Sequence, residues 1–404
     1  MKPAGRDRTH LTYCTNIHPG ETWAEVRANL SEHVVAVKNR IAPDVPFGVG
    51  LRLSGRAAAE LDTPAAFEEL AAFLESESLY VFTINGFPHG SFHGTRVKED
   101  VYRPDWLEPE RLDYTNRLAS LLARLLPDED GLVGSVSSVP VAFRPRIGDE
   151  TAAATAAALV LEHTAFLHRL RESSGKTVTL ALEPEPCCHM ETTAEAVAFF
   201  ETHLFCDAAI TRFAELTGLG KRVAEDAVRR HVGVCLDTCH AAVEFEDADE
   251  SLARLDAAGV QVGKMQLSCG LVARPETTAA REELRAFADD VYLHQVVADD
   301  GNALTRYVDL PEALAALEAG SRAAIDAEWR IHFHVPLFRR RLGSFANTQP
   351  FLERILHAFS ARPFTTHLEV ETYTWDVLPA EYRDEPVVDA IARELRWVLE
   401  RLAA

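Results

Sequence analysis

Eight short β-rich runs recur along this chain, separated by longer Ala-, Leu-, Glu- and Arg-rich stretches with helical spacing. This alternation constrains the fold most, because strands alternating with helices are joined as parallel βαβ units. The runs are residues 11–18 (LTYCTNIH), 48–53 (GVGLRL), 79–85 (LYVFTIN), 132–139 (LVGSVSSV), 177–183 (TVTLALE), 232–237 (VGVCLD), 262–268 (VGKMQLS) and 366–371 (THLEVE). Most open on small or apolar residues and close on polar or ionisable ones. That pattern suits parallel strands buried on both faces, with C-terminal ends that border a site. Between them, residues 22–40 repeat apolar positions at Trp23, Val26, Leu30, Val34 and Val37, and 64–74, 109–126, 151–171 and 386–402 behave alike. Asp62-Thr63-Pro64 and the capping-box pattern Thr192-Thr193-Ala194-Glu195 mark helix starts.

Eight such units predict an α/β protein, a (β/α)8 TIM barrel formed by residues 1–404 as one domain. Strand starts are spaced by roughly 30 to 55 residues, but the seventh and eighth are separated by about 100, far more than one helical crossover needs. An insertion is therefore expected at about residues 272–345. It contains two further β-like runs, 292–298 (YLHQVVA) and 331–338 (IHFHVPLF), read as an extra hairpin or ribbon over the barrel mouth. The rival, an open doubly wound sheet, wants a glycine-rich phosphate fingerprint after the first strand, and CTNIHPGETW is no GxGxxG.

Charge narrows the partners. With 41 Lys plus Arg against 62 Asp plus Glu, the formal net charge is −21. That balance disfavours nucleic acid and anionic lipid, both of which call for a basic face. No apolar run approaches the roughly 18 to 20 residues of a membrane helix, and MKPAGRDRTH does not read as a secretory leader. Seven cysteines without a CxxC pair suggest reduced thiols and a cytoplasmic location. The Gly-x-Ser-x-Gly and Walker A patterns are absent from the sequence.

The chemistry concentrates at the strand ends. LDTCH places Asp237 at the end of the sixth strand and His240 three residues on, where both can reach one cation or one sugar hydroxyl. The competing reading makes Asp237 a helix cap and leaves His240 on the first turn. The fifth strand ends in Glu183 with Glu185 beyond, the seventh in Gln266 and Ser268, and the eighth carries His367, Glu369 and Glu371 on one side. Carboxylates gathered there are costly unless a cation neutralises them, or unless each pairs with Arg or Lys. Histidines form a second group. His332 and His334 lie on one side of an expected strand and can share a metal, yet these two, like His18, His89, His93 and His294, read at least as well as ordinary surface or core histidines. Asn16, His18, His89, His93 and Arg144 are candidate substrate contacts.

Glu at the fifth strand end, Asp-x-x-His at the sixth, a polar residue at the seventh and Glu at the eighth resemble the xylose isomerase-like TIM barrels. That superfamily includes sugar phosphate isomerases, epimerases and the endonuclease IV group. In closer detail LTYCTNIHPGETW, INGFPHGSFHG, LDTCH, HFHVPLF and EVETYTWDVLP resemble the EboE family of metabolite traffic proteins, over nearly the whole chain. The resemblance implies Glu183, Asp237 and Glu371 as metal ligands. His240 matches a histidine that holds substrate in the epimerases and metal in the endonucleases. Gln266 departs from the pattern, because it stands where a ligand histidine is usual. Its amide oxygen is a weaker ligand, and His334 or His332 from the insertion can replace it.

Two functions follow as expectations. One is a divalent-metal-dependent sugar or sugar phosphate isomerase or epimerase (manganese, zinc, cobalt or magnesium) acting on a polyhydroxy or hydroxyketone metabolite in the handling or traffic of a secondary metabolite. In it Glu183 and Glu371 move protons and His240 orients substrate. The other is a carrier barrel that binds a metabolite precursor for export without chemistry. The resemblance also implies partner proteins of the same pathway.

Overall fold

The computed structural model describes residues 1–403. The barrel strands, β1 to β8 in chain order, are His10–Tyr13, Phe47–Arg52, Leu79–Asn85, Val133–Ser138, Thr177–Leu182, Val232–Asp237, Val262–Leu267 and His367–Val370. All pair in parallel, in the order β1-β8-β7-β6-β5-β4-β3-β2. A parallel bridge between Cys14 and Gly50 joins the two ends of that order. Thr12 reinforces the seam, since its hydroxyl donates to the Gly48 carbonyl at 2.6 Å and accepts from the Gly50 N–H at 3.1 Å. Gly50 has to be glycine here, because a Cβ would collide with Glu369 Oε1 and the Tyr13 carbonyl. The likeness to a TIM barrel expected from the alternation is the architecture found.

Side chains on both faces of these strands are almost all buried, which is why they read as apolar runs rather than alternating ones. The helices between them start where expected. Thr22 and Thr192 each make a full capping box, with Glu25 and Glu195. Thr63 precedes Pro64 at a helix start but makes no side-chain cap bond. The 22–40 stretch is helical from Trp23 to Ile41, with a wider π turn at Leu30–Val34. The first run ends sooner than expected, because Thr15–Ile17 turns into a 3-10 helix and lifts Asn16 off the strand.

The insertion is larger than a hairpin. Val296–Asp299 pairs antiparallel with Glu328–Ile331, a strand that ends where the expected run 331–338 begins, inside a six-stranded sheet that also takes in Leu271–Ala273, Leu304–Tyr307, Arg341–Leu342 and Phe345–Asn347. His332 and His334 lie just beyond Glu328–Ile331 in irregular chain, not on a strand. Val97 and Lys98 N–H both donate to the Val291 carbonyl, at 2.8 and 2.9 Å, and so tie the insertion to the loop after β3. No helix among the described residues is long and apolar enough to cross a membrane.

Candidate active site at the barrel mouth

Parallel strands deliver their last side chains to one rim, so Glu183 after β5, Asp237 at the end of β6 and Glu371 after β8 meet there, all buried. Ligand-capable atoms of Glu183, Asp237 and His240 lie within 4.8 Å of one another. Asp237 fulfils both readings of its sequence position. Its Oδ1 caps the next helix, accepting from Cys239 N–H at 2.7 Å, His240 N–H at 3.0 Å and Ser268 Oγ at 2.6 Å. Its Oδ2 is buried and has no partner. Glu183 Oε2 and both amide atoms of Gln266 are likewise buried without partners. Glu371 is held differently, with Oε1 accepting from Asn16 Nδ2 at 2.8 Å and Asn85 Nδ2 at 2.9 Å. It joins none of the tightest ligand clusters among the described residues.

Three imidazoles complete the rim. His240 Nε2 and His332 Nε2 are 3.1 Å apart, as are His332 Nε2 and His334 Nε2. The opposite nitrogens fix the tautomers. His240 Nδ1 faces the Pro184 carbonyl at 3.0 Å, and His334 Nδ1 faces the Glu371 carbonyl at 2.9 Å. His332 Nδ1 faces Gln295 Oε1 at 2.7 Å. That amide is oriented by its own Nε2, which donates to Glu185 Oε1 and the Pro186 carbonyl, both at 3.2 Å. Every Nδ1 therefore carries the proton, and three Nε2 lone pairs converge. Tyr373 O–H, 3.3 Å from His332 Nε2, supplies only one donor. Three lone pairs at this spacing fit a tetrahedral cation, for which metal–nitrogen bonds of about 2.0–2.1 Å put ligand atoms roughly 3.3 Å apart.

The charges fit the same picture. Burial, then the charges of Glu371 and Asp237, push the Glu183 carboxyl well above its ordinary range. Burial, then Asp237 and Glu369, do the same to Glu371. Burial also works to raise Asp237, but His240, His334, Ser268 and the backbone N–H overcome it and hold that carboxyl low. Burial depresses His332 well below the usual imidazole range and His334 to about 4, so both rings are neutral, as metal ligands must be.

Of the candidate substrate contacts, Asn16 lines the cavity at the mouth, with Asn85, Glu183, Glu185, His240, His332 and Glu371. The other four lie outside that lining. His18 stacks on His33 and bonds Tyr13, and His89 packs edge-on against Tyr114. His93 packs edge-on against Phe92 with both ring nitrogens unpartnered. Arg144 is ion-paired to Glu191 and Glu195 on the surface. His294 bonds Asp289 and the His332 carbonyl, a supporting role. Glu369 pairs with Lys264 inside the barrel. Asn85, Tyr373 and Gln295 went unnoticed in the sequence. The position of Asn85 at the end of LYVFTIN was the one available signal for it.

An eight-stranded parallel barrel with acidic and imidazole side chains at its C-terminal rim defines a (β/α)8 TIM barrel with a candidate site at its mouth. Among solved structures, a xylose isomerase-like TIM barrel protein from Mycobacterium smegmatis in complex with magnesium is similar, with 13% identity, coverage of 98% of this chain and 96% of that one, and a TM-score of 0.50. IolI with a bound zinc atom shows 13% identity, coverage of 98% of both chains and a TM-score of 0.46. A xylose isomerase domain protein from Planctomyces limnophilus shows 12% identity, coverage of 91% and 92%, and a TM-score of 0.47. No protein-family model and no curated protein matches the chain.

Proposed function

We propose that this protein is a divalent-metal-dependent isomerase or epimerase acting on a polyhydroxy or hydroxyketone metabolite. The convergence of the His240, His332 and His334 lone pairs, with no donor set to satisfy them, carries this reading. His240, His332 and His334 would hold the cation, with Asp237 Oδ2 beside them. Glu183 and Gln266 offer further unpartnered atoms. Nitrogen-rich ligation favours zinc or cobalt over magnesium. A bound cation supplies Lewis acidity at the carbonyl or hydroxyl oxygens of the substrate.

The protein's own groups account for the rest. Burial and neighbouring carboxylates raise both Glu183 and Glu371 well above the ordinary carboxyl range, which suits groups that give up and take back a proton in acid–base work. The Asn16 and Asn85 amides fix the Glu371 carboxyl so that its Oε2 remains for proton transfer at a carbon next to the carbonyl. The motif resemblance supports reading this activity as part of the handling or traffic of a secondary-metabolite precursor, with partner proteins of the same pathway.

The test is metal content and turnover together. Purified protein incubated with zinc, cobalt or manganese should retain about one equivalent of ion by mass spectrometry and exchange solvent deuterium into a hydroxyketone substrate. Protein that stays metal-free defeats the reading. Protein that loads metal and binds ligand without exchange is a carrier.

A further inference from the structure

The mouth has two unlike sides. Strand ends supply the carboxylates and imidazoles, whereas the loops and the insertion supply Phe87, Phe92, Tyr102, Tyr292 and Tyr373. Three of these rings form a mutual cluster, with centroids 5.1 Å apart for Phe92 and Tyr292, 5.3 Å for Phe92 and Tyr373, and 5.2 Å for Tyr292 and Tyr373. Beside this cluster the Tyr102 hydroxyl is spent on Glu185, and the Tyr373 hydroxyl lies 3.3 Å from His332 Nε2 at the polar end.

Free cationic side chains are the missing ingredient along this wall. Lys98 is the one Lys or Arg in the cavity lining among the described residues. Its ammonium has three donors, and all are used: the Asp289 carbonyl at 2.8 Å, the Tyr292 carbonyl at 2.6 Å and Asp309 Oδ2 at 2.7 Å. Arg52, behind Phe92, is forked onto Glu21 and bonded to the Gly20 and Gly90 carbonyls. Arg111 spends its guanidinium on the Pro104, Gly86 and Phe87 carbonyls. A phosphate or second carboxylate reaching along this wall would meet no free positive charge, and it would face Glu183, Glu185 and Glu371.

We infer that the substrate is an uncharged hydroxylated compound bearing a flat aromatic or fused-ring portion, not a sugar phosphate. Its vicinal oxygens face the carboxylate and imidazole end, and its flat portion lies on the Phe92–Tyr292–Tyr373 wall. The inference rests on the proposed metal-site reading for the polar end only, because the wall is independent of it.

Three hydroxyketones separate the possibilities: hydroxyacetone, 2-hydroxy-1-phenylethanone and dihydroxyacetone phosphate. Calorimetric titration of the full chain, with and without zinc, should rank the phenyl compound tightest, by about tenfold or more over each of the others, as expected for burial of one aromatic ring. Any other ranking, or no binding of the phenyl compound, overturns the inference. Phe92→Ala should bring the affinity ratio of phenyl compound to hydroxyacetone down toward one. Should that variant not fold, Phe92→Leu keeps an apolar side chain without the flat face and should reduce the same ratio severalfold. Zinc retention is measured separately. Failure to load zinc with the phenyl preference intact removes the metal reading and leaves the ligand class standing.

Discussion

The Lys264 ammonium and the Glu369 carboxylate are ion-paired inside the barrel, with neither side chain exposed. Each sits two residues deeper along its strand than a residue at the mouth, Gln266 and Glu371 respectively. The Lys264 charge opposes the burial-driven rise of both Glu183 and Glu371. Lys264→Met strands a carboxylate in the core and should cost about 3–5 kcal/mol in chemical denaturation. Lys264→Met combined with Glu369→Met should recover most of that loss. A double variant no better than the single would show that shape, not charge, was lost.

Asp237 caps a helix with one oxygen and leaves the other free. Asp237→Asn should therefore keep the fold, since Asn caps as well as Asp, with a melting temperature within a few degrees of wild type. Metal retention should fall by tenfold or more, because an amide brings no charge. Intact retention in this variant would place the cation on the imidazoles alone.

Gln295 sets the His332 tautomer through a 2.7 Å bond to Nδ1. Gln295→Leu removes that acceptor without touching the ligand atom. Supporting groups of this kind are worth about 10- to 100-fold in metal affinity. Competition with a zinc chelator measures the change, and an unaltered affinity would argue against a cation among these rings.

Gln266 is buried in the barrel with neither amide atom paired. Gln266→His should tighten zinc or cobalt binding, because it adds an imidazole on the strand between those of Asp237 and Glu371. The comparison is the zinc dissociation constant of variant and wild type, and weaker binding would mean that the carboxylate side takes no ion.

Glu394 accepts from Leu337 N–H at 3.1 Å and Thr372 Oγ1 at 2.8 Å, and burial raises its carboxyl to about 7. A carboxyl raised on folding stabilises the native state at low pH, and that stabilisation is lost as pH climbs from about 4.5 through 7. The loss attributable to Glu394 is on the order of 3 kcal/mol. Glu394→Gln keeps an acceptor for both donors and should flatten that part of the stability profile. Thermal melts at pH 5 and pH 7.5 should differ less in the variant than in wild type.

The alternation of strands and helices was legible because parallel strands buried on both faces must be apolar throughout, and each closes where the chain turns polar. Predicted strands such as 79–85 and 232–237 coincide with those found. Strand ends also exposed Glu183, Asp237 and Glu371, since a barrel sends every C-terminal end to one rim. Pairing across the molecule was beyond local pattern. His240 and His332 are 92 residues apart, and the inserted sheet alone brings their Nε2 atoms together. Likewise His89 and His332 look equivalent in sequence, yet one packs against Tyr114 outside the cavity lining and the other faces the site. Period and composition determine which side of its own element a residue occupies. Tertiary structure alone decided which side chains from distant elements share a buried space, because ring closure and the insertion's docking set those distances.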